Sequence, residues 1–148
     1  MSKVEIERLI NENIDTGLFT GGIKESLIKE IEKELQVTLP KSYKWFLCNY
    51  GSGGIFGVDI IGVGKLNQTI VVTDTKKVRE LGLDKDLVII EDCDEFMYCL
   101  DTSELSNGEC PVVSWDNHSG YDSVEANNFY EFLLERLTDA KDAWEEDF

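Results

Sequence analysis

The chain has little of the chemistry from which metal centres and catalytic triads are built. It contains a single histidine, His118, and four cysteines, and no two cysteines form a C-x-x-C pair. Structural zinc sites are usually held by closely spaced pairs of cysteine or histidine ligands, so we expect no metal and no cofactor. The thiols are instead expected to be small, buried, apolar side chains in a reducing compartment; they belong to Cys48, Cys93, Cys99 and Cys110.

Long apolar segments are also missing. Apolar runs such as Ile60-Ile61 and Leu87 to Ile90 are far shorter than the roughly 20 residues that span a bilayer. The first residues mix lysine, glutamate and arginine, where a secretory signal would be continuously apolar. We therefore expect a cytoplasmic protein with no membrane span. Its 148 residues suffice to bury roughly 70% of the surface of the unfolded chain, and we expect a single domain over residues 1–148.

Basic residues are scarce in the second part of the chain. Residues 1–80 contain 11 acidic and 11 basic side chains, whereas residues 81–148 contain 19 acidic and 3 basic, so the second part carries the whole net charge of −16. Such a field repels nucleic acids and anionic membranes, and it speeds the encounter with a basic protein. A surplus of surface carboxylates can also simply keep a protein soluble.

The stretch from Leu35 to Gly64 is predicted to organise the core. Pro40 suits the first turn of a helix and Gly51 the left-handed residue just after its end, so we predict a helix over Pro40 to Tyr50. One face of that helix is apolar, with residues at spacings of three and four: Tyr43, Phe46, Leu47 and Tyr50. The following segment, Ile55 to Val63, alternates apolar with other residues and is predicted to be a strand.

The remaining pattern predicts an α+β fold, with helices packed on a central, mostly antiparallel sheet. Two amphipathic helices precede the aromatic one: the first begins at Ser2, and the second runs to the Thr38-Leu39-Pro40 turn. Residues 69–81 fit either a strand or a helix. Further strands are predicted at Leu87 to Glu91, Phe96 to Leu100, Pro111 to Trp115 and Tyr121 to Val124. The first two are expected to form a hairpin with an acidic tip. A long helix is predicted to begin near Asn128.

Several of these motifs resemble the SUKH superfamily, which includes fungal cell-wall assembly regulators and many bacterial immunity proteins. The resemblance rests on L-P-x-x-Y-x-x-F-L from Leu39, on N-Y-G-x-G-G from Asn49, and on the apolar I-x-G strand after it. The motif E-x-x-L-Q-x-x-L-P-x-S-Y-K-W-F-L, from Glu32, is most similar to YobK-type antitoxins. The resemblance covers nearly the whole chain and implies a helix at residues 69–81.

The sequence offers few residues that could form a catalytic site. A nucleophilic triad needs a base, and His118 is the only imidazole, in a segment typical of a turn. The Gly51 to Gly54 segment lacks the Lys-Ser/Thr of a phosphate loop and follows a helix instead of a strand. We therefore expect no enzyme and no catalytic residues.

The resemblance and the charge together suggest an immunity protein, or antitoxin, that binds and neutralises a cognate toxin. A nuclease (RNase or DNase) is the expected partner, because the basic groove that holds its substrate would attract an acidic surface. The alternative is a protein-interaction scaffold related to the cell-wall regulators, and a hydrolase is a third, weaker candidate. The oligomeric state stays open. The expected contact residues are Asp92, Asp94 and Glu95 at the hairpin tip, and Asp116, Tyr121 and Asp122 after the Trp115 strand.

Overall fold

The computed structural model describes residues 2–147 and has the predicted α+β architecture, with five α-helices and two antiparallel sheets in the described part of the chain. Residues 1 and 148, the ends of the predicted domain, lie outside the described residues. In chain order the elements are α1 (Ser2–Glu12), β1 (Leu18–Phe19), α2 (Glu25–Leu35), α3 (Lys41–Tyr50), β2 (Gly53–Gly54), α4 (Ile70–Arg79), β3 (Leu87–Asp92), β4 (Met97–Asp101), β5 (Val112–Asp116), β6 (Gly120–Ala126) and α5 (Phe129–Asp147).

The larger sheet is an antiparallel meander in the order β3-β4-β5-β6. Both faces of β3 are covered, which explains why this strand opens with four consecutive apolar residues. Val88 and Ile90 face the main core, which includes side chains of α1, α2, α3 and α5. Leu87 and Ile89 face the other way, into a smaller cluster with Val78 of α4. The predicted hairpin and the two later strands are confirmed.

The aromatic helix α3 lies at the centre of the main core, as predicted. Pro40 is its N-cap and Gly51 its C-cap, the latter with a positive φ of 76°, which glycine adopts more readily than other residues. The Tyr43 side chain is fully buried and its hydroxyl donates a hydrogen bond of 2.6 Å to the Ile61 carbonyl. Its ring meets the edge of the Phe129 ring at 5.3 Å between centroids, so α3 and α5 share one aromatic core.

The strand predicted over Ile55 to Val63 is wrong. The segment is a folded-back loop in which Ile60 makes only an isolated bridge, to Gly53. The chain reverses at Phe56 and Gly57, whose φ angles of 53° and 85° are incompatible with an extended strand. The alternation nevertheless correctly predicted that Phe56, Val58 and Ile60 are buried in the core, although Ile55 and Val63 are buried there as well.

Residues 70–79 form helix α4, which confirms the choice that the family resemblance implied. One side of the helix is buried at helical spacing, through Val71, Val72, Thr75 and Val78. Thr75 has a specific role there, because its hydroxyl accepts a 3.2 Å hydrogen bond from the Ile89 N–H at the outer edge of β3. The helix therefore packs on the sheet and also satisfies part of its edge. Within residues 2–147, none of the helices has the length and apolar character needed to cross a bilayer.

Candidate functional site

A concavity lies where two hairpin turns meet the end of α4. We call it the turn groove; it encloses about 490 Å³. The β3–β4 turn forms one wall, the β5–β6 turn forms another, and α4 closes the third side. Its lining residues are Val78, Leu81, Asp94, Glu95, Phe96, Met97, Trp115, Asp116, Asn117 and His118.

The floor of the turn groove is apolar because of the strand register. Met97 of β4 lies directly opposite Trp115 of β5, and residues directly opposite in an antiparallel pair project from the same face of the sheet. Trp115 is 5% exposed, whereas Leu81, just after α4, is 58% exposed. The groove thus offers both a packed aromatic base and an accessible aliphatic side chain, a combination common at sites of protein contact.

The rim of the turn groove is acidic. Asp94 and Glu95 are exposed at the β3–β4 turn, and in the described part of the chain no lysine or arginine lies within ion-pair distance of either one. Asp94 has φ of 67°, and its N–H donates a 2.9 Å hydrogen bond to Asp92 Oδ1. Asp92 therefore fixes the turn that presents the two carboxylates.

Asp116 is held in place on the opposite wall by its own turn. Its Oδ1 accepts hydrogen bonds of 2.8 Å from the His118 N–H and 2.6 Å from the Ser119 N–H. These backbone hydrogen bonds, that from Ser119 first, lower the pKa of the Asp116 carboxyl below its ordinary value of 3.8. Asp116 therefore stabilises the β5–β6 turn and keeps a negative charge on the wall of the groove.

The structure brings together three of the six residues predicted for partner contact: Asp94, Glu95 and Asp116. Tyr121 is adjacent, because it pairs with Trp115 across β5 and β6, and it is 44% exposed. Asp122 lies apart from the groove, since its Oδ2 accepts a 3.5 Å hydrogen bond from the Ser114 hydroxyl and Ser114 projects from the other face of the sheet.

Asp92 also lies away from the turn groove. It lines a separate acidic hollow together with Asp74 of α4. Burial raises the pKa of the Asp74 carboxyl, Lys77 opposes the shift, and the charge of Asp92 adds a further increase. Asp92 is therefore expected to influence the turn groove through the conformation of the hairpin and less through direct contact.

Negative charge occurs on both sides of the sheet. Helix α5 packs on the main-core face of the sheet, opposite the face that forms the floor of the turn groove, and its outer surface carries exposed carboxylates. These belong to Glu131, Glu135, Asp139, Asp142, Glu145, Glu146 and Asp147. Exposed acids therefore lie on both sides of the sheet. At the turn groove, exposed acids lie beside accessible apolar side chains.

The apolar side chains of the turn groove were missed in the sequence. Val78 and Leu81 are distant in sequence from Phe96, Met97 and Trp115, and only the packing of α4 on the sheet brings them together. The pairing of Trp115 with Met97 depends on a strand register that a single sequence does not contain. Trp45 flanks the main core, and its ring contacts Tyr50 and Tyr130.

The thiols are poorly suited to nucleophilic chemistry. Burial raises the pKa of Cys99 and Cys110 to about 12 and that of Cys93 to about 11, so these thiols stay protonated at neutral pH and lack the thiolate that reacts. Within residues 2–147, no cluster of three or more histidine, cysteine or carboxylate side chains has an arrangement that would hold a metal ion.

One carboxylate of the β3–β4 hairpin is buried and paired. Glu91 is 5% exposed and accepts two hydrogen bonds from the guanidinium of Arg136, from Nε at 2.8 Å and from one terminal nitrogen at 2.5 Å. The guanidinium also lies 5.8 Å from the centre of the Tyr98 ring. The pair joins α5 to β3 and takes no part in the turn groove.

Comparison with known proteins agrees with this architecture. The SUKH_5 family model, described as SMI1-KNR4 cell-wall, matches residues 4–138. A crystal structure of a protein from Pseudomonas syringae pv. tomato superposes with a TM-score of 0.66 and 18% sequence identity, covering 87% of this chain and 98% of that one. That likeness shows the fold, and the family model covers most of the sequence. The chain therefore belongs to the SUKH superfamily, in its SMI1-KNR4 family.

Proposed function

We propose that this protein is an immunity protein that binds a cognate protein toxin at the turn groove and neutralises it. The observation that carries the proposal is the meeting of an apolar floor and an acidic rim on two hairpin turns. Family membership is compatible with this role, because the superfamily includes immunity proteins. The more specific likeness to YobK-type antitoxins stays a prediction.

The chemistry of the turn groove favours a basic partner. Asp94 and Glu95 are exposed carboxylates with no cation beside them in the described structure, so they can pair with lysine or arginine at little cost of rearrangement. A nuclease carries such groups where it binds the phosphates of its substrate, and the two carboxylates would occupy those positions instead. Trp115 and Leu81 would supply the apolar contact that holds the complex.

The net charge of −16 supports the same partner on kinetic grounds. Attraction between the acidic chain and a basic toxin raises the rate of encounter, and salt weakens that attraction. Specific recognition is then expected to depend on the few contacts that lose water inside the groove. In this proposal the protein works in the cytoplasm, needs no cofactor or catalytic residue, and binds neither nucleic acid nor membrane.

Co-expression tests the proposal. The product of the adjacent gene is expressed as the toxin in a bacterial host, and the protein should restore growth while leaving a non-cognate toxin active. The groove variant Asp94→Asn with Glu95→Lys should restore growth at least tenfold less well at matched expression. Asparagine is chosen at position 94 because it tolerates the positive φ found there.

A matched variant controls for net charge. Asp139→Asn with Asp142→Lys makes the same change in charge on the exposed face of α5, and it should protect like the native protein. Rescue of growth by both variants would contradict the turn groove as the binding site. Failure of the native protein to protect, together with binding to several host proteins at high salt, would favour the scaffold function suggested by the cell-wall description of the family.

A further inference from the structure

The two edges of the larger sheet differ in how their backbone is satisfied. An edge strand presents N–H and C=O groups that can pair with another chain unless something covers them. At the β3 edge, the Ile90 carbonyl accepts a 2.7 Å hydrogen bond from the Ile61 N–H, and the Ile89 N–H donates to Thr75. The loop before α4 and the helix itself therefore close this edge.

The opposite edge, strand β6, is open. Residues 121–125 are all exposed, and within residues 2–147 their backbone groups make no hydrogen bond to any segment other than the neighbouring strand. The strand is seven residues long, which is sufficient for pairing with an added strand. This open edge lies beyond Trp115: Tyr121 is adjacent to the turn groove, but no residue of β6 lines it.

The side chains of β6 divide into an apolar and an acidic row. Tyr121 and Val124 lie opposite Trp115 and Val113, because a bulge in the register places both on the α4 side of the sheet. They are 44% and 55% exposed, so α4 leaves this side of β6 uncovered.

The other side of β6 is polar. Asp122 and Ser123 approach the Ser114 hydroxyl, and Ser123 donates a 2.8 Å hydrogen bond to Glu125. Glu125 is also close enough to Tyr98 to contribute to raising the pKa of that phenol, after burial. This side of the strand thus carries two exposed acids and no base.

We propose that β6 accepts an extended segment of a partner protein as a fifth strand, and that this segment alternates apolar residues with lysine or arginine. The apolar residues would cover Tyr121 and Val124, and the basic ones would pair with Asp122 and Glu125. Main-chain hydrogen bonds would supply the affinity and the alternating side chains the selectivity. The proposal goes beyond toxin neutralisation, since it concerns another surface and holds for any partner with such a segment.

Charge argues against a second copy of this chain as the occupant. Pairing two β6 strands would bring the acids Asp122 and Glu125 of one copy beside those of the other, and like charges on adjacent strands destabilise the pair. Charged residues on an edge strand are a common means of preventing self-association. A basic, extended segment removes this repulsion and satisfies the open backbone groups.

The test uses a defined peptide with the full-length protein. The probe is an acetylated, amidated peptide of alternating lysine and valine, of the same length as β6, and the control peptide has the same composition with lysines and valines in separate blocks. Hydrogen exchange followed by NMR should show that the alternating peptide slows the exchange of amides in residues 121–125. The block peptide should leave their exchange unchanged. The variant Asp122→Lys with Glu125→Lys should weaken binding about fivefold to tenfold, because two favourable cross-strand pairs become repulsive.

A peptide of opposite charge keeps the test valid if the two substitutions also disturb the structure of the variant. A peptide of alternating glutamate and valine should bind the Asp122→Lys, Glu125→Lys variant better than the native protein. The variant Asp139→Lys with Asp142→Lys, which makes the same charge change on α5, should bind both peptides like the native protein. Equal binding of both lysine peptides, unchanged exchange at residues 121–125, or protection caused by dimerisation of the protein itself would each overturn the proposal.

Discussion

Glu91 and Glu95 belong to the same hairpin and have opposite surroundings. Glu91 is buried and bound by Arg136 of α5, whereas Glu95 is exposed at the turn, and within residues 2–147 no cation lies within ion-pair distance of it. The first carboxylate ties together elements that are distant in sequence, and the second is available to a partner. Acid content alone therefore says little about function, because the fold itself uses some of the surplus carboxylates.

Removal of Glu91 should have the largest effect on stability. Glu91→Leu is expected to lower the free energy of unfolding by about 3 kcal/mol, because the half-buried Arg136 would lose the carboxylate that accepts its hydrogen bonds. Urea denaturation measures the change. The double variant Glu91→Leu with Arg136→Met should recover most of the loss, since apolar side chains can replace a buried ion pair. A loss below about 1 kcal/mol for the single variant would show that water already screens the pair.

Glu109 is a second structural acid and should have an intermediate effect. Its carboxylate accepts hydrogen bonds from the Ser42 N–H, at 3.0 Å, and from the Ser42 hydroxyl, so it caps the positive end of α3. Glu109→Ala is expected to lower the unfolding free energy by about 1 kcal/mol, as for the loss of other helix caps. Glu104→Ala, at an exposed acid nearby, serves as the control in the same denaturation experiment. An equal loss of unfolding free energy in this control would show that Glu109 contributes no more to stability than an exposed acid.

Glu95 should contribute almost nothing to stability. We expect Glu95→Ala to change the unfolding free energy by less than about 0.5 kcal/mol, which is usual for an exposed side chain without partners. The same denaturation measurement checks this value. A larger loss would mean that Glu95 belongs with the structural acids and would weaken its assignment to a binding site.

The smallest effect is local and depends on pH. Because hydrogen bonds lower the pKa of Asp116 in the folded state, its contribution is fully present above the unfolded pKa, near 3.8, and is lost as pH falls through the lower folded value. Amide exchange of His118 and Ser119, corrected for intrinsic rates, should therefore lose protection below about pH 3.8. Asp116→Asn should remove this dependence, and unaltered protection down to pH 2 in the native protein would contradict it.

Elements with strong periodicity were predictable from the sequence, and contacts across the fold were not. Helix α3 and the β3–β4 hairpin have clear local patterns with matching turn residues. Residues 56–61 alternate between more and less buried side chains as a strand would, and the positive φ angles of Phe56 and Gly57 distinguish the loop. Helix α4 could not be separated from a strand by its local pattern, and the family resemblance was needed to choose.

The candidate site was partly predictable for the same reason. Asp94 and Glu95 follow from the position of the hairpin turn, which local sequence reveals. The pairing of Met97 with Trp115 depends on register, and the approach of Leu81 depends on the packing of α4. The separation of Asp122 from the groove follows from the two-residue period of a strand, which places neighbours on opposite faces.

The association rate of this protein with the proposed toxin is the most direct test of the central idea that unpaired acids at the turn groove meet a cationic surface. Stopped-flow measurement at low salt should show about tenfold slower association for Asp94→Asn with Glu95→Lys than for the native protein, and a weaker dependence on ionic strength. The α5 variant, Asp139→Asn with Asp142→Lys, should slow association less than about twofold. Equal slowing by both variants, or no slowing by either, would contradict the assignment of the turn groove as the binding site.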